Sequence, residues 1–366
     1  MSPFFTKNVM GRNFRDFLKL IFVPLLLAVC LTAFSQVQDT LSLKKDTAVV
    51  GKYKLTKKDL IPKFTATILG RYEYNTNLNA HHFELRHSRV GVYGDVHPMF
   101  SYMALVDLTF GGKFSPVAIF AQFKPVKGLS FLIGYDKMPF SSENLLSPYQ
   151  YYFSDKSFLT SKITAWSDVG GVVAYKWDKV VPFEIKVGVF NSQGFSKQMK
   201  FQKELNYVAR GTFGFFKGFN LTLNYATVRP EELRMHNFCA GMAYDIANLH
   251  LETEYIYKWY AQHAFHPTHA FYGFAYYQFN VGKIWLQHVD LAARYDAITP
   301  NCNGKLDDNQ KYVVEPFRQR ITAGLTLMFV EKPVRAGIRL NYEKNFFRRG
   351  VENGEDRIIL ELITHY

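Results

Sequence analysis

The chain has 366 residues, 48% of them hydrophobic and 17% aromatic, with a formal net charge of +13 and three cysteines. So few cysteines exclude a disulfide-built scaffold, and bases scattered along the whole length argue against a nucleic-acid-binding helix. Beyond residue 35 no apolar run approaches the ~20 residues that a membrane helix needs, so any membrane assignment must use strands.

Residues 1–35 read as a secretory signal peptide. Lys7, Arg12, Arg15 and Lys19 precede an apolar core from Leu20 to Leu31, broken once at Pro24, and Ala33-Phe34-Ser35 offers small residues for cleavage before Gln36. Val29 is too bulky for the alternative, a lipoprotein site at Cys30. Removing this segment, with its four bases and Asp16, lowers the net charge from +13 to +10 and leaves only Cys239 and Cys302. That surplus suits anionic lipid, nucleic acid or an anion conduit, and secretion disfavours nucleic acid. Residues 36–61 are polar and Lys-rich, a solvated lead-in to a barrel expected over 62–366.

From Lys63 onward, period-two alternation is nearly unbroken. In the first strand Phe64, Ala66, Ile68, Gly70, Tyr72 and Tyr74 share one face, opposite Thr65, Thr67, Arg71 and Glu73. Four more strands are expected over 83–95, 100–110, 115–124 and 129–137. Alternation then stops for about thirty residues rich in Ser, Tyr, Asn and Phe. Compact folds rarely carry so long an irregular insert without a use for it. We expect the stretch from Gly134 to Asp168 to fold inward and narrow a water-filled barrel, with Glu143, Asp155, Lys156 and Lys162 as the charges facing the lumen. Strands resume over 169–177, 183–191, 205–215, 219–228, 237–246, 249–260, 270–281, 284–297, 318–330, 334–346 and 357–366, sixteen in all.

Connections after even strands are short, such as Val96-His97-Pro98, Ala247-Asn248 and Glu331-Lys332-Pro333. Those after odd strands are mostly longer and more polar, including 192–204, 261–269, 298–315 and 347–356. A soluble sandwich has no reason to sort loop length by parity, whereas an outer-membrane barrel pairs short periplasmic turns with longer outer loops. About eight strands leave an interior that side chains fill; sixteen leave an aqueous channel. The interior is therefore expected to be polar and the apolar face to meet lipid. The last strand agrees, since Ile358, Leu360, Leu362, Thr364 and Tyr366 share a face and the chain stops on an aromatic residue.

Several runs resemble the phosphate-selective porin O and P family. They are Phe83-Glu84-Leu85-Arg86 to Gly91, Ala121 to Pro125 with Gly128-Leu129, Ile133 to Phe140 with Glu143-Asn144-Leu145, and Asp168 to Gly171. The resemblance implies a sixteen-stranded general or anion-preferring porin, often a homotrimer. The mixed signs on the expected inward faces do not make an Arg-rich ladder for phosphate.

Taking parity literally, the candidate pore-lining bases are Arg71, Arg86, Lys124, Lys186, Arg210, Arg294, Arg318, Arg320, Arg335 and Arg339. Arg318, Arg320, Arg335 and Arg339 form the densest patch, with Glu343 as the main acid neighbour. Rings of bases favour anions in pores, but lumenal charges also pair across strands and merely hydrate the wall.

Other chemistry is weakly signalled. His263, His266 and His269 recur every third residue and would suit Zn²⁺ or Cu²⁺, but Pro267 interrupts them and no carboxylate adjoins. Asn301 to Asn309 lacks the ligand spacing of a calcium loop. There is no Gly-x-Ser-x-Gly and no His-Glu-x-x-His, so we expect no catalytic residue, no metal site and no cofactor. The reading is a transmembrane antiparallel β-barrel of about sixteen strands in the bacterial outer membrane, partnered by its lipid and by small hydrophilic solutes or anions. A non-conducting adhesin or assembly scaffold is the alternative.

Overall fold

The fold was obtained as a computed structural model, which describes residues 61–109, 113–231, 233–347 and 356–366. The signal peptide expected over 1–35 lies outside the described residues, as does all of the polar segment 36–61 except Ile61 and most of the outer loop 347–356.

The strands are β1 (Lys63–Asn75), β2 (Ala80–His97), β3 (Phe100–Asp107), β4 (Ser115–Val126), β5 (Leu129–Lys137), β6 (Ser167–Trp177), β7 (Phe183–Phe190), β8 (Asn206–Phe216) and β9 (Phe219–Val228). They continue with β10 (Met235–Ile246), β11 (Leu249–Tyr260), β12 (Thr268–Lys283), β13 (Leu286–Ile298), β14 (Asn301–Leu306), β15 (Tyr312–Glu315), β16 (Arg318–Val330), β17 (Arg335–Phe347) and β18 (Arg357–His365). Sixteen of them close a barrel of antiparallel neighbours in chain order, with β18 returning to pair with β1. The remaining two, β14 and β15, make a separate hairpin between β13 and β16.

Closure leaves the barrel sheet without an edge, which satisfies its backbone without water and is what a strand fold needs to cross lipid. One face of each strand is apolar and uncovered: Phe64, Ile133 and Leu362 are 67%, 73% and 55% exposed. Aromatic side chains line both ends of this belt. Near the short turns Phe100 stacks on Phe123, Phe123 on Phe131, and Phe216 on Phe219. Towards the long loops Tyr225, His236, Trp259, Tyr257 and His269 run ring to ring across β9 to β12. Paired aromatic girdles around an apolar band are the mark of a transmembrane barrel.

Three local features depart from the sequence expectation. The third strand ends at Asp107 rather than residue 110, because that carboxylate accepts from the Thr109 amide and hydroxyl and turns the chain. The loop 298–315 contains the β14–β15 hairpin, whose turn is closed by Asp307 accepting from the Asn309 and Lys311 amides. Finally, Leu69 pairs with His87 and Gly70 with Leu85, so Arg86 is the extra residue of a bulge in β2. One inserted residue reverses the faces beyond it, and His87 and Arg89 point inward where uninterrupted parity would place Ser88 and Val90.

The interior is not uniformly polar, which corrects a second expectation. Met138, Phe140, Phe153, Phe158, Leu159 and Ile163 of the segment between β5 and β6 share a buried apolar cluster with Phe190, Val208, Ala226, Ile256, Tyr272 and Ile298. A wall need be polar only where water touches it, and here the inserted segment takes water's place. We expect Leu223→Arg, on the lipid side of mid-β9, to lower folding stability by about 2–4 kcal/mol, measured by urea-dependent refolding into lipid vesicles.

Candidate functional site

The segment between β5 and β6 is short of regular structure: one helical turn (Ser142–Leu145), a 3-10 turn (Pro148–Gln150) and a π-turn (Thr160–Thr164). Its backbone polar groups therefore need partners elsewhere, and inward-pointing side chains of the wall supply them. Arg339 donates to the carbonyls of Phe153 (3.3 Å) and Tyr151. Arg320 donates to that of Lys156 (2.7 Å) and Arg294 to that of Asp155 (2.9 Å). Asn341 Oδ1 accepts from the Ser154 amide at 2.7 Å, and Glu254 accepts from the Ser141 hydroxyl at 2.6 Å and the Ser142 amide at 2.7 Å. Asp296 accepts from the Phe158 amide at 2.8 Å.

Two carboxylates of the segment reach back. Asp155 takes Arg71 of β1 at 2.8 Å and Arg357 of β18 at 2.7 Å, while Glu143 takes Arg294 of β13 at 3.2 Å and the Ser157 hydroxyl at 2.6 Å. The facing guanidinium groups hold the Asp155 carboxyl far below the usual carboxylate range, against the opposing effect of its burial. Behind them the wall completes the network. Arg71 pairs with Glu73 and Glu84 at 2.5 Å each, Arg320 with Asp296 at 3.0 Å and Glu343 at 2.9 Å, and Arg339 with Glu361 at 2.8 Å.

This geometry sorts the ten bases named from the sequence. Arg71, Arg294, Arg320 and Arg339 are buried beneath the segment with carboxylate partners, and buried Arg210 donates to Asn224 and Ser142. Lys186 pairs with Glu184 at 2.9 Å, Lys124 approaches Asp95 at 4.0 Å near a short turn, and Arg335 bonds the Tyr149 carbonyl at 3.2 Å. Arg86 remains largely exposed, 3.6 Å from Asp155. Arg318 lines a cavity of about 440 Å³ where the strands meet the outer loops. Its other charged lining residues are Arg86, Lys156, Lys162, Arg320, Arg357 and Asp155, six bases to one acid.

Of the four charges expected on the inserted segment, Glu143 and Asp155 are anchors. Lys162 leans on Glu315 of β15 at 3.3 Å. Lys156 lies over the Tyr151 ring at 5.3 Å, and burial, helped by Arg89 and Arg86, brings its ammonium down to about 8 despite nearby Glu143. Sequence reasoning missed Arg89, which pairs with Asp107 at 2.9 Å, because only the bulge turns it inward.

Opposite the packed side the wall stays accessible. The inner residues His87, Arg89 and Gly91 of β2, Met103 and Leu105 of β3, Phe120 of β4, Leu132 of β5 and Val172 of β6 are all part-exposed. Their counterparts in the middle of β9, β11, β13 and β18 are buried. The interior is thus filled along one side and open along β2 to β6.

The histidine-rich loop gathers no site. His269 bonds the Tyr255 hydroxyl at 2.6 Å on the lipid-facing side. Among the described residues the group of donors close enough to share an ion is Glu73, His82 and Glu84, and Arg71 already holds both its carboxylates. Cys239 and Cys302 are buried and unbonded to each other.

No protein-family model matches the chain, and no curated protein matches it. Solved structures do resemble it. Pseudomonas putida OprB at high pH aligns with a TM-score of 0.60 and 11% identity over 83% of this chain and 94% of that one. An anion-selective porin from Comamonas acidovorans gives 0.58 and 11% over 84% and 99%, and Salmonella typhi OmpF gives 0.58 and 14% over 83% and 97%. At such identities the likeness is one of fold.

Replacing Asp155 by Asn should leave Arg71 and Arg357 with the wall acids Glu73, Glu84 and Glu343 but without the carboxylate that ties the segment to them. A hydrogen bond to a charged group is worth about 1.5–3 kcal/mol, so we expect a lower temperature for loss of the compact, heat-modifiable gel band and faster protease cleavage within residues 145–162.

Proposed function

We propose that this protein is an outer-membrane porin through which small hydrophilic solutes diffuse passively, with a modest preference for anions. The observation that carries the reading is the half-filled interior: a closed sixteen-strand wall whose inner face stays water-accessible along β2 to β6. The segment between β5 and β6 touches inward side chains of β1, β11, β13, β16, β17 and β18, surfaces that converge only inside a closed barrel. It narrows the conduit while bracing the wall. The anion preference rests on the bases lining the outer cavity, where Arg320, Arg357 and Lys162 are paired with acids and Arg86 and Lys156 approach the accessible side. Phosphate and a homotrimer rest on the resemblance at residues 83–171 alone, and residues 1–35 are assigned to export. Among the solved structures alike in fold, the Comamonas protein is described as anion-selective.

A non-conducting barrel acting as adhesin or scaffold is the second reading, favoured by the packing of half the interior. Single-channel recording in planar bilayers decides between them: discrete steps support the porin, and silence with correctly folded protein supports the scaffold.

In a salt gradient the reversal potential should favour chloride over potassium at pH 7. Lys156 is protonated below about 8 and neutral above it, so the preference should weaken as pH rises from 7 to 9. Lys156→Gln should lower the preference at pH 7 and flatten that dependence. The anion reading fails if potassium passes more readily than chloride at every pH.

A further inference from the structure

The open side of the lumen is apolar where porin walls are usually hydrated. The inner face of β3 to β6 carries the part-exposed Leu105, Met103, Phe120, Leu132 and Val172, with buried Ala118 beside Leu105 and Gln122 beside Leu132, and Val172 also packs against the apolar cluster of the filled side. Register places them side by side. Met103 pairs with Phe120, and Leu132 with Val172 on the following strand. Glycine lets neighbouring strands approach closely beside them. Gly134 sits opposite Phe120 at φ 148, and a side chain there would meet the Ile119 carbonyl at 2.2 Å. Gly170 follows on β6.

This ribbon begins one inward step below a basic group. Arg89 pairs with Asp107, and the next inward pair towards the periplasm is Gly91 with Leu105, then Tyr93 with Met103. Arg86 and Lys156 line the same cavity, and Arg89, paired with Asp107 on the next inward row, adds its charge to theirs at the Lys156 ammonium. Four inward-facing-strand residues at about 3.4 Å each put roughly 14 Å between this charge and the Met103–Phe120 row.

We propose that the passage selects small amphiphilic carboxylates, whose anionic head is drawn to Arg86, Arg89 and Lys156 and whose hydrocarbon tail then slides past Leu105, Met103, Phe120 and Leu132 in turn. The inference rests on the porin reading and names the solute class for it. An inorganic anion would use the bases and gain nothing from the ribbon. A neutral sugar would use neither. A tail of five or six carbons gains by leaving water for apolar surface, and a contact that weak and extended lets the solute slide rather than lodge.

The test uses the full-length mature protein in planar bilayers with potassium salts of chloride, acetate, hexanoate and inorganic phosphate. Bi-ionic reversal potentials give each anion's permeability relative to chloride. We expect hexanoate to pass at least as readily as the smaller acetate, and millimolar hexanoate to reduce chloride current saturably, with acetate and phosphate far less effective. Leu105→Gln combined with Phe120→Gln should lower the hexanoate-to-acetate ratio by about tenfold, the loss expected from roughly two methylenes' worth of apolar contact. Heat-modifiable gel mobility verifies that the variant has folded; where it has not, the wild-type comparison decides alone. Chloride current with acetate passing ahead of hexanoate, and no hexanoate block, overturns the inference and leaves the porin intact. A folded variant that retains the hexanoate preference also overturns it. No current in any salt overturns both.

Discussion

Everything inside this barrel depends on two carboxylates carried by a segment with little regular structure of its own. Asp155 and Glu143 draw that segment onto the arginines of the wall, and the wall arginines return hydrogen bonds to its carbonyls. Charges taken this far from water cost several kcal/mol each unless they are matched, so the network is better understood as specifying one docked position than as a reserve of stability. The apolar cluster around Phe140, Phe153 and Phe158 supplies the non-directional attraction, and the ion pairs fix where it acts.

Division of labour around the circumference follows. The sector from β8 to β1 spends its inward side chains on holding the segment. The sector from β2 to β6 is left with a thin polar rim and an apolar middle that water still reaches. Bases counted along the chain therefore do not translate into bases available to a solute. Arg294 and Arg320 are fully committed to Asp296, Glu143 and Glu343, whereas Arg86, Arg89 and Lys156 line or approach the accessible side.

Most of the wall was legible in the sequence, because a strand with lipid on one side has no freedom about its period. β7 and β18 show it plainly, with Val187 and Leu362 outward and Lys186 and Glu361 inward. The position of the insert was legible for the converse reason, the loss of that period after Lys137. What periodicity cannot reveal is a single inserted residue. The bulge at Arg86 hid His87 and Arg89 because nothing in the letters of residues 80–97 marks which residue is skipped. Nor could alternation show that Phe190, Ile256 and Phe274 face a packed insert rather than lipid, since both environments want the same side chains. The β14–β15 hairpin escaped notice because its strands are short and its closure depends on one aspartate.

Asp155 also sits at a particular place on the circle. Its two hydrogen-bonded guanidinium partners, Arg71 and Arg357, belong to the first and last strands of the barrel, which lie nearly three hundred residues apart and meet only at the seam. Until those strands stand side by side, the aspartate lacks one of those two bonds, and Arg357 lacks its bond to Glu73 across the same junction. The brace therefore gains its full set of bonds only in the closed cylinder: the keystone fits when the arch is whole.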